Sequence, residues 1–285
     1  MHLRVVSDHS SGEQRLELSA PVFEEDWQNR LTLATANTAF GLLRQERSPS
    51  AASHLGKKAM EATSTLVASL LGRAPAGALA CRQGCAHCCH QRVGVTVPEA
   101  LAIFATLVET RSGDELRELQ ERVERAYLST RGLSRDERNS PEHACPLLEN
   151  DLCSVYEVRP LSCRGVHSLD AEACKSRLHD KERRAAYERG DLPGHSFVEP
   201  VRAVHAISAG LQLGLHEGLG LDMRPLDLTA ALHLLLSEHS LESEGVAQRW
   251  LAGLPAFAEA HGGDATDHQG QVELSGAVAL APRPR

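Results

Sequence analysis

Residues 81–90 read CRQGCAHCCH, which puts four cysteines and two histidines into ten positions. Thiols at that density could hold a metal, close disulfides or carry out redox or nucleophilic chemistry. Cys81, Cys85, Cys88 and Cys89 form this first block. A second block follows in Cys145, Cys153, Cys163 and Cys174, separated by seven, nine and ten residues. All eight cysteines of the chain fall within 81–174, which argues for one shared job.

A metal accounts for the spacing. The short gap from Cys85 to Cys88 lets two sulfurs point into one turn, at the roughly 2.3 Å that zinc requires. A cation stabilises the thiolates that would otherwise repel one another. Gly84 allows a tight backbone path inside the loop. Eight thiols exceed what one tetrahedral ion needs. Two zinc sites, one or two iron–sulfur clusters, or one site with spare exchanging thiols would each use them. Side chains of neighbours tend to diverge, so Cys88 and Cys89 are expected to serve different metals, or one to act as a reserve. His87, His90, His143 and His167 lie close enough in sequence to replace a sulfur, although an exposed or supporting role is the simpler reading.

Two competing readings carry less weight. A chain of 285 residues, 42% hydrophobic, buries its own core and needs no disulfide staples. Metal-free thiol catalysis would favour a Cys-x-x-Cys between a strand and a helix, and none is found in that setting.

The elements that would position the thiols read as helices. Apolar spacing predicts helices over 24–45 and about 52–71, a hairpin punctuated by Ser-Pro-Ser at 48–50. After the first block, Thr96 reads as an N-cap, with Pro98 in the first turn and Glu99 at the positive end of the dipole. A charged helix is expected at about 114–130, a polar loop at 131–144 and a helix at 175–189. Further helices are expected over 198–219, 226–239 and 242–260. LRVV at 3–6 and RLELSAPVF at 15–23 read as weak strands. QVELSGAVAL at 271–280 loosely echoes 14–22, which suggests a small terminal sheet, although chance similarity is the simpler account. The expected fold is mainly α: a helical bundle enclosing a cysteine-rich, turn-rich metal-binding domain. Its divisions would be 1–23 extended, 24–80 a helical hairpin, 81–178 the cysteine domain, 179–262 a helical C-terminal region and 263–285 a tail.

The start of the chain has no apolar run of signal-peptide length, and no stretch reaches about 18 consecutive apolar residues. A cytoplasmic protein in a reducing compartment is therefore expected. A pI near 6.0 and a net charge of −8 argue against phosphate-driven nucleic-acid binding. The basic run SRLHDKERR at 176–184 reads as a solvated helix face.

The block CRQGCAHCCHQRVGVTVPEA, then CPLLENDLCSVYEVRPLSCRG and a last cysteine at 174, closely resembles the YkgJ-type cysteine-cluster proteins. These are also called the CxxCxxCC family of zinc- or iron-chelating domains. The resemblance covers 81–174, and the first gap here is three residues where the family nickname has two. It implies metal chelation, with Cys81, Cys85, Cys88, Cys89, Cys145, Cys153, Cys163 and Cys174 as candidate ligands.

Pro160 stiffens the approach to Cys163. Arg159 and Arg164 could then offset thiolate charge, or else pair with Glu157 or Glu149. Glu99 reads first as a helix-start charge and second as an oxygen ligand or a partner of one. His205, Gln212 and His216 share a helical spacing that could line a pocket, but core or boundary positions are the commoner outcome. The leading expectation is a protein binding iron, as an ion or an iron–sulfur cluster, or zinc. Any protein partner or substrate is unknown, and neither membrane nor nucleic acid is expected. The alternative is an iron–sulfur-dependent enzyme modifying a protein or peptide.

Overall fold

A computed structural model describes residues 2–8, 13–239, 245–254 and 256–260. Helices dominate, and strands occur only as short antiparallel pairs. At the N-terminus β1 (Leu3–Ser7) pairs with β2 (Gln14–Leu18), with Leu3 opposite Leu18 and Ser7 opposite Gln14. The alternation that marks these as strands also buries Leu3 and Leu16, which pack on Phe40. The expected pairing of 271–280 with 14–22 falls outside the described residues.

Two long helices follow, α1 (Asp26–Gln45) and α2 (Pro49–Leu71). Ser48 caps α2 by accepting from the N–H of Ala51 at 3.0 Å, and Pro49 occupies the first helical position. Although consecutive, the two helices find their main partners elsewhere. α1 lies along α9 (Val198–Leu219), whereas α2 lies along α3 (Val97–Thr110). Small residues permit both approaches. A Cβ at Gly214 would stand 2.6 Å from Ala36 O, and one at Gly56 only 2.1 Å from Pro98 O, so any side chain there would force the helices apart.

Between α3 and α9 come α4 (Gly113–Thr130), the short α5 (Arg135–Arg138), α6 (Leu161–Gly165), α7 (Ala171–His179) and α8 (Lys181–Arg189). α10 (Leu228–His239) and α11 (Val246–Leu251) complete the described helices. α5 sits in the expected 131–144 loop. Ser134 and Glu137 form a capping box there, with Glu137 accepting from the Ser134 N–H at 2.8 Å. The single helix expected over 175–189 is two. Asp180 ends α7 and begins α8, with its carboxylate accepting from Arg183 N at 3.0 Å, and an Asp that caps in extended geometry breaks the run. Over the expected 242–260 helix, the described part holds α11 and a 3-10 turn at Ala258–Ala260.

One apolar core runs from α2 and α3 through α9 to α10 and α11, with Leu55, Ile103, Leu211, Leu232 and Trp250 inside it. The cysteine segment sits against this frame. β3 (Gly94–Val95) leaves the first thiol block and pairs with β6 (Leu226–Asp227), which leads into α10. β4 (Leu148–Glu149) and β5 (Leu152–Cys153) form a tight hairpin in the second block. No helix among the described residues is long and apolar enough to cross a membrane.

Candidate metal centre

The first thiol block is a chain of tight turns. Cys85 N–H donates to Arg82 O at 3.0 Å and Cys89 N–H to Ala86 O at 2.9 Å, so Cys88 and Cys89 ride on a 3-10 turn over His87–His90. Gly84 has φ 81, the left-handed region where a side chain would be strained. The second block supplies each cysteine from its own small element. Cys145 precedes the β4–β5 hairpin, whose turn residues Asn150 and Asp151 have φ 52 and 60. That pattern at two central residues is the hairpin turn that Asn and Asp tolerate. Cys153 is in β5, Cys163 in α6 and Cys174 in α7, which Asp170 caps by accepting from Ala173 N at 3.0 Å.

Backbone contacts bring the two blocks together. Cys145 N–H donates to Cys89 O at 2.7 Å, and Ala80 N–H donates to Ser168 O at 2.8 Å. Ser168 N–H in turn donates to Cys81 Sγ at 3.2 Å. Ser168, buried between Cys163 and Cys174, therefore joins both blocks; no spacing or pattern in the sequence marks it.

All eight cysteines are free. Their sulfurs form one electrostatically connected set with Cys88 at its crossing: Cys88 bears on Cys81, Cys153, Cys163 and Cys174, and its thiol is hydrogen-bonded to that of Cys89. Cys85 bears on Cys81 and Cys174, and Cys145 on Cys163. The expected divergence of Cys88 and Cys89 is thus not found, because the 3-10 turn lets the two thiols meet. That contact, followed by burial, pushes the Cys88 thiol far up. Burial raises Cys81, Cys153 and Cys174 and lifts Cys163 strongly; it pushes Cys145 up to about 11. Backbone N–H or hydroxyl donors at Ser168, Leu147 and Val155 only partly offset it. These groups are held as neutral thiols.

The two arginines behave differently from each other. Arg164 is buried and structural: its Nε donates to Arg159 O at 2.9 Å, and its other nitrogens donate to Glu157 O and Ser64 Oγ. It clamps the Tyr-x-x-Arg-Pro loop to α2. Arg159 forms no ion pair with Glu157 or Glu149. Its guanidinium stacks 4.4 Å from the Tyr156 ring centroid, and its Nε is buried without a partner. It bears on Cys81, Cys88, Cys153 and Cys163, favouring their ionised forms. Glu149 is taken by Arg111 and Arg122 instead, at 2.8 and 2.5 Å.

Glu99 is more than a helix-start charge. One carboxylate oxygen accepts from the N–H and hydroxyl of Thr96, both at 2.8 Å, closing a capping box. The other accepts from Leu161 N–H at 2.8 Å and so fastens the first turn of α6, two residues ahead of Cys163. Burial raises its pKa against these donors. With both oxygens engaged, Glu99 is a structural tie.

The histidines scatter. His90 turns its Nδ1 to Pro141 O at 3.1 Å, while His143 and His167 bury an Nδ1 without a partner. His205 is partly buried, and burial lowers its pKa to about 4. His216 is exposed at the end of α9, with Nδ1 against Leu221 O at 2.9 Å.

The donor set has the chemistry of a soft-metal site. Among the described residues, no three Cys, His, Asp or Glu side chains are already drawn close enough to close on an ion. Neither the curated proteins nor the solved structures contain a match to the chain. A family model, CxxCxxCC, described as "Putative zinc- or iron-chelating domain", matches residues 80–185. Over those residues, which hold all eight cysteines, the chain is similar to this cysteine-cluster family.

Proposed function

We propose that this protein binds zinc or iron, the iron as an ion or an iron–sulfur cluster, through Cys81, Cys85, Cys88, Cys89, Cys145, Cys153, Cys163 and Cys174. One observation carries the reading: backbone contacts join two distant stretches that hold eight free thiols, Cys145 N–H to Cys89 O and Ser168 N–H to Cys81 Sγ. Cysteine sulfur suits zinc and iron–sulfur clusters alike, so the donor set selects soft cations over magnesium or calcium. Closing the ligand shell would need thiol rotamers to change, within loops already fixed by the Cys145–Cys89 and Ser168–Cys81 contacts.

Protons enter the balance. Thiols held neutral by burial must each release a proton to ligate, so affinity rises with pH, about tenfold per unit for every proton released. Arg159, always cationic and free of any carboxylate, would offset part of the thiolate charge. A cytoplasmic, reducing setting belongs to the same proposal, since it would keep the thiols available.

An iron–sulfur enzyme would need polar groups converging on the centre. Arg159 does lie against the thiols, but Glu99 is consumed by its three donors, so the chelating reading is preferred. Metal analysis with an absorption spectrum on protein purified without oxygen tests it. Zinc in colourless protein, or iron with absorption near about 400 nm, is expected; folded, metal-free protein would refute it.

A further inference from the structure

The β1–β2 hairpin has two outer edges, and the fold closes them unequally. Asp8 N–H donates to Glu13 O and Ser19 N–H to His2 O, both at 2.8 Å, so Arg4 and Val6 are the residues of β1 that exchange backbone bonds with β2. Leu3, Val5 and Ser7 turn their N–H and C=O outward, as does Leu16 on β2. At Leu16 the side chain of Asn37 stands in for a neighbouring strand: its Oδ1 accepts from Leu16 N–H at 2.7 Å and its Nδ2 donates to Leu16 O at 3.0 Å. At the start of β1 the Glu217 carboxylate accepts from His2 N–H at 2.9 Å and from Leu3 N–H.

Among the described residues no such group closes Val5. Its side chain shares a face with Leu3 yet is 44% exposed, while Leu16, directly opposite, is 1% exposed. An edge position whose peptide group and apolar side chain are both uncovered is a place where another strand adds.

The neighbouring side chains select what adds. On the solvent face Arg4 and Arg15 share one carboxylate, Glu17, at 3.2 and 2.9 Å. Asp8 and Glu13 stand at the other end of the hairpin, so an acidic residue of a guest belongs at the Arg4 end. In an added strand the residue opposite Val5 lies on the inner face, and its neighbours lie on the solvent face beside Arg4 and Val6. A second copy of β1, centred on Val5, would set Val6 rather than a carboxylate opposite Arg4. Glu217 ends the edge at Leu3, so the guest runs along Val5 to Ser7.

We propose that the outer edge of β1 binds an extended segment of another protein by strand addition, with an apolar residue opposite Val5 and an acidic one opposite Arg4. The assignment does not rest on the thiols taking a metal.

The test titrates the full chain, labelled with 15N, with the blocked peptide N-acetyl-Thr-Leu-Glu-Thr-methylamide and follows the amide signals of Val5 and Ser7. Saturable shifts at both are expected, with half-saturation on the order of 1 mM for so short a segment. N-methylation of the peptide's Leu removes a ladder donor and should weaken binding at least about tenfold. Lys in place of its Glu should weaken binding about threefold or more. No saturable shift at Val5, or equal binding of either altered peptide, would overturn the assignment. So would strong protection of the Val5 amide from hydrogen exchange in the chain alone: protection that fades on dilution assigns the edge to a second copy, and protection that persists assigns it to the chain itself.

Discussion

The helical frame and the thiol segment are held together by different forces. In the frame, α1 against α9 and α2 against α3 meet through residues small enough for backbone to touch backbone, over a core of Leu, Ile and Trp. Its stability comes from buried apolar area and close packing. In the thiol segment, the elements that carry cysteines are two to nine residues long, and the cysteines range from exposed at Cys81 and Cys88 to partly buried elsewhere. What orders it are polar ties: Glu99 to Leu161, Arg164 to Arg159, Glu157 and Ser64, and Ser168 to Cys81. A close-packed frame thus carries a segment that is ordered by polar ties.

Variants should separate the two regions. Gly214→Val puts atoms inside the α1 backbone and should cost about 3 kcal/mol or more in urea unfolding, while metal bound per folded chain stays unchanged. Arg164→Leu leaves three partners unmet and should cost about 3 kcal/mol; unlike the frame variant, it should also weaken metal binding. Glu99→Gln replaces one accepting oxygen by an NH2, which then faces either the Leu161 N–H or the Thr96 donors. We expect a loss of about 2 kcal/mol, with metal affinity reduced through the loosened start of α6. Equal metal affinity in the Arg164 and Glu99 variants and the wild type would dissolve the distinction.

The smallest expected effect belongs to the frame alone. The pKa of His205 is lowered to about 4 in the folded protein from an ordinary 6.5. Between those values the unfolded chain binds the extra proton, so stability is full above about pH 6.5 and falls as pH drops toward 4. Allowing for partial exposure, about 1–2 kcal/mol is at stake. His205→Phe should flatten that acid limb without changing stability at neutral pH by more than the packing difference; an unchanged limb would remove His205 from the account.

Much of the frame was legible because periodicity reports burial on a helix. The helix at 198–219 follows its apolar spacing, and Thr96, Pro98 and Glu99 announce the start of α3. The sequence was silent where a residue does two jobs or a single side chain redirects the backbone. Asp180 reads as helix surface until its capping bond divides α7 from α8. Glu99 carries no sign that its second oxygen holds Leu161, 62 positions away. The thiols themselves stood out, but their meeting at Cys88 depends on the contact between blocks at Cys145 and Cys89, which spacing does not encode.

The central claim is that the eight thiols act as one metal-binding set crossing at Cys88. Metal content per chain, measured on wild type and Cys88→Ser purified side by side without oxygen, tests it most directly. The account predicts bound zinc or iron in the wild type and a large loss in Cys88→Ser, with the helical frame still folded by circular dichroism. Metal-free wild-type protein that is fully folded, or a Cys88→Ser chain that keeps its full metal content, would contradict it.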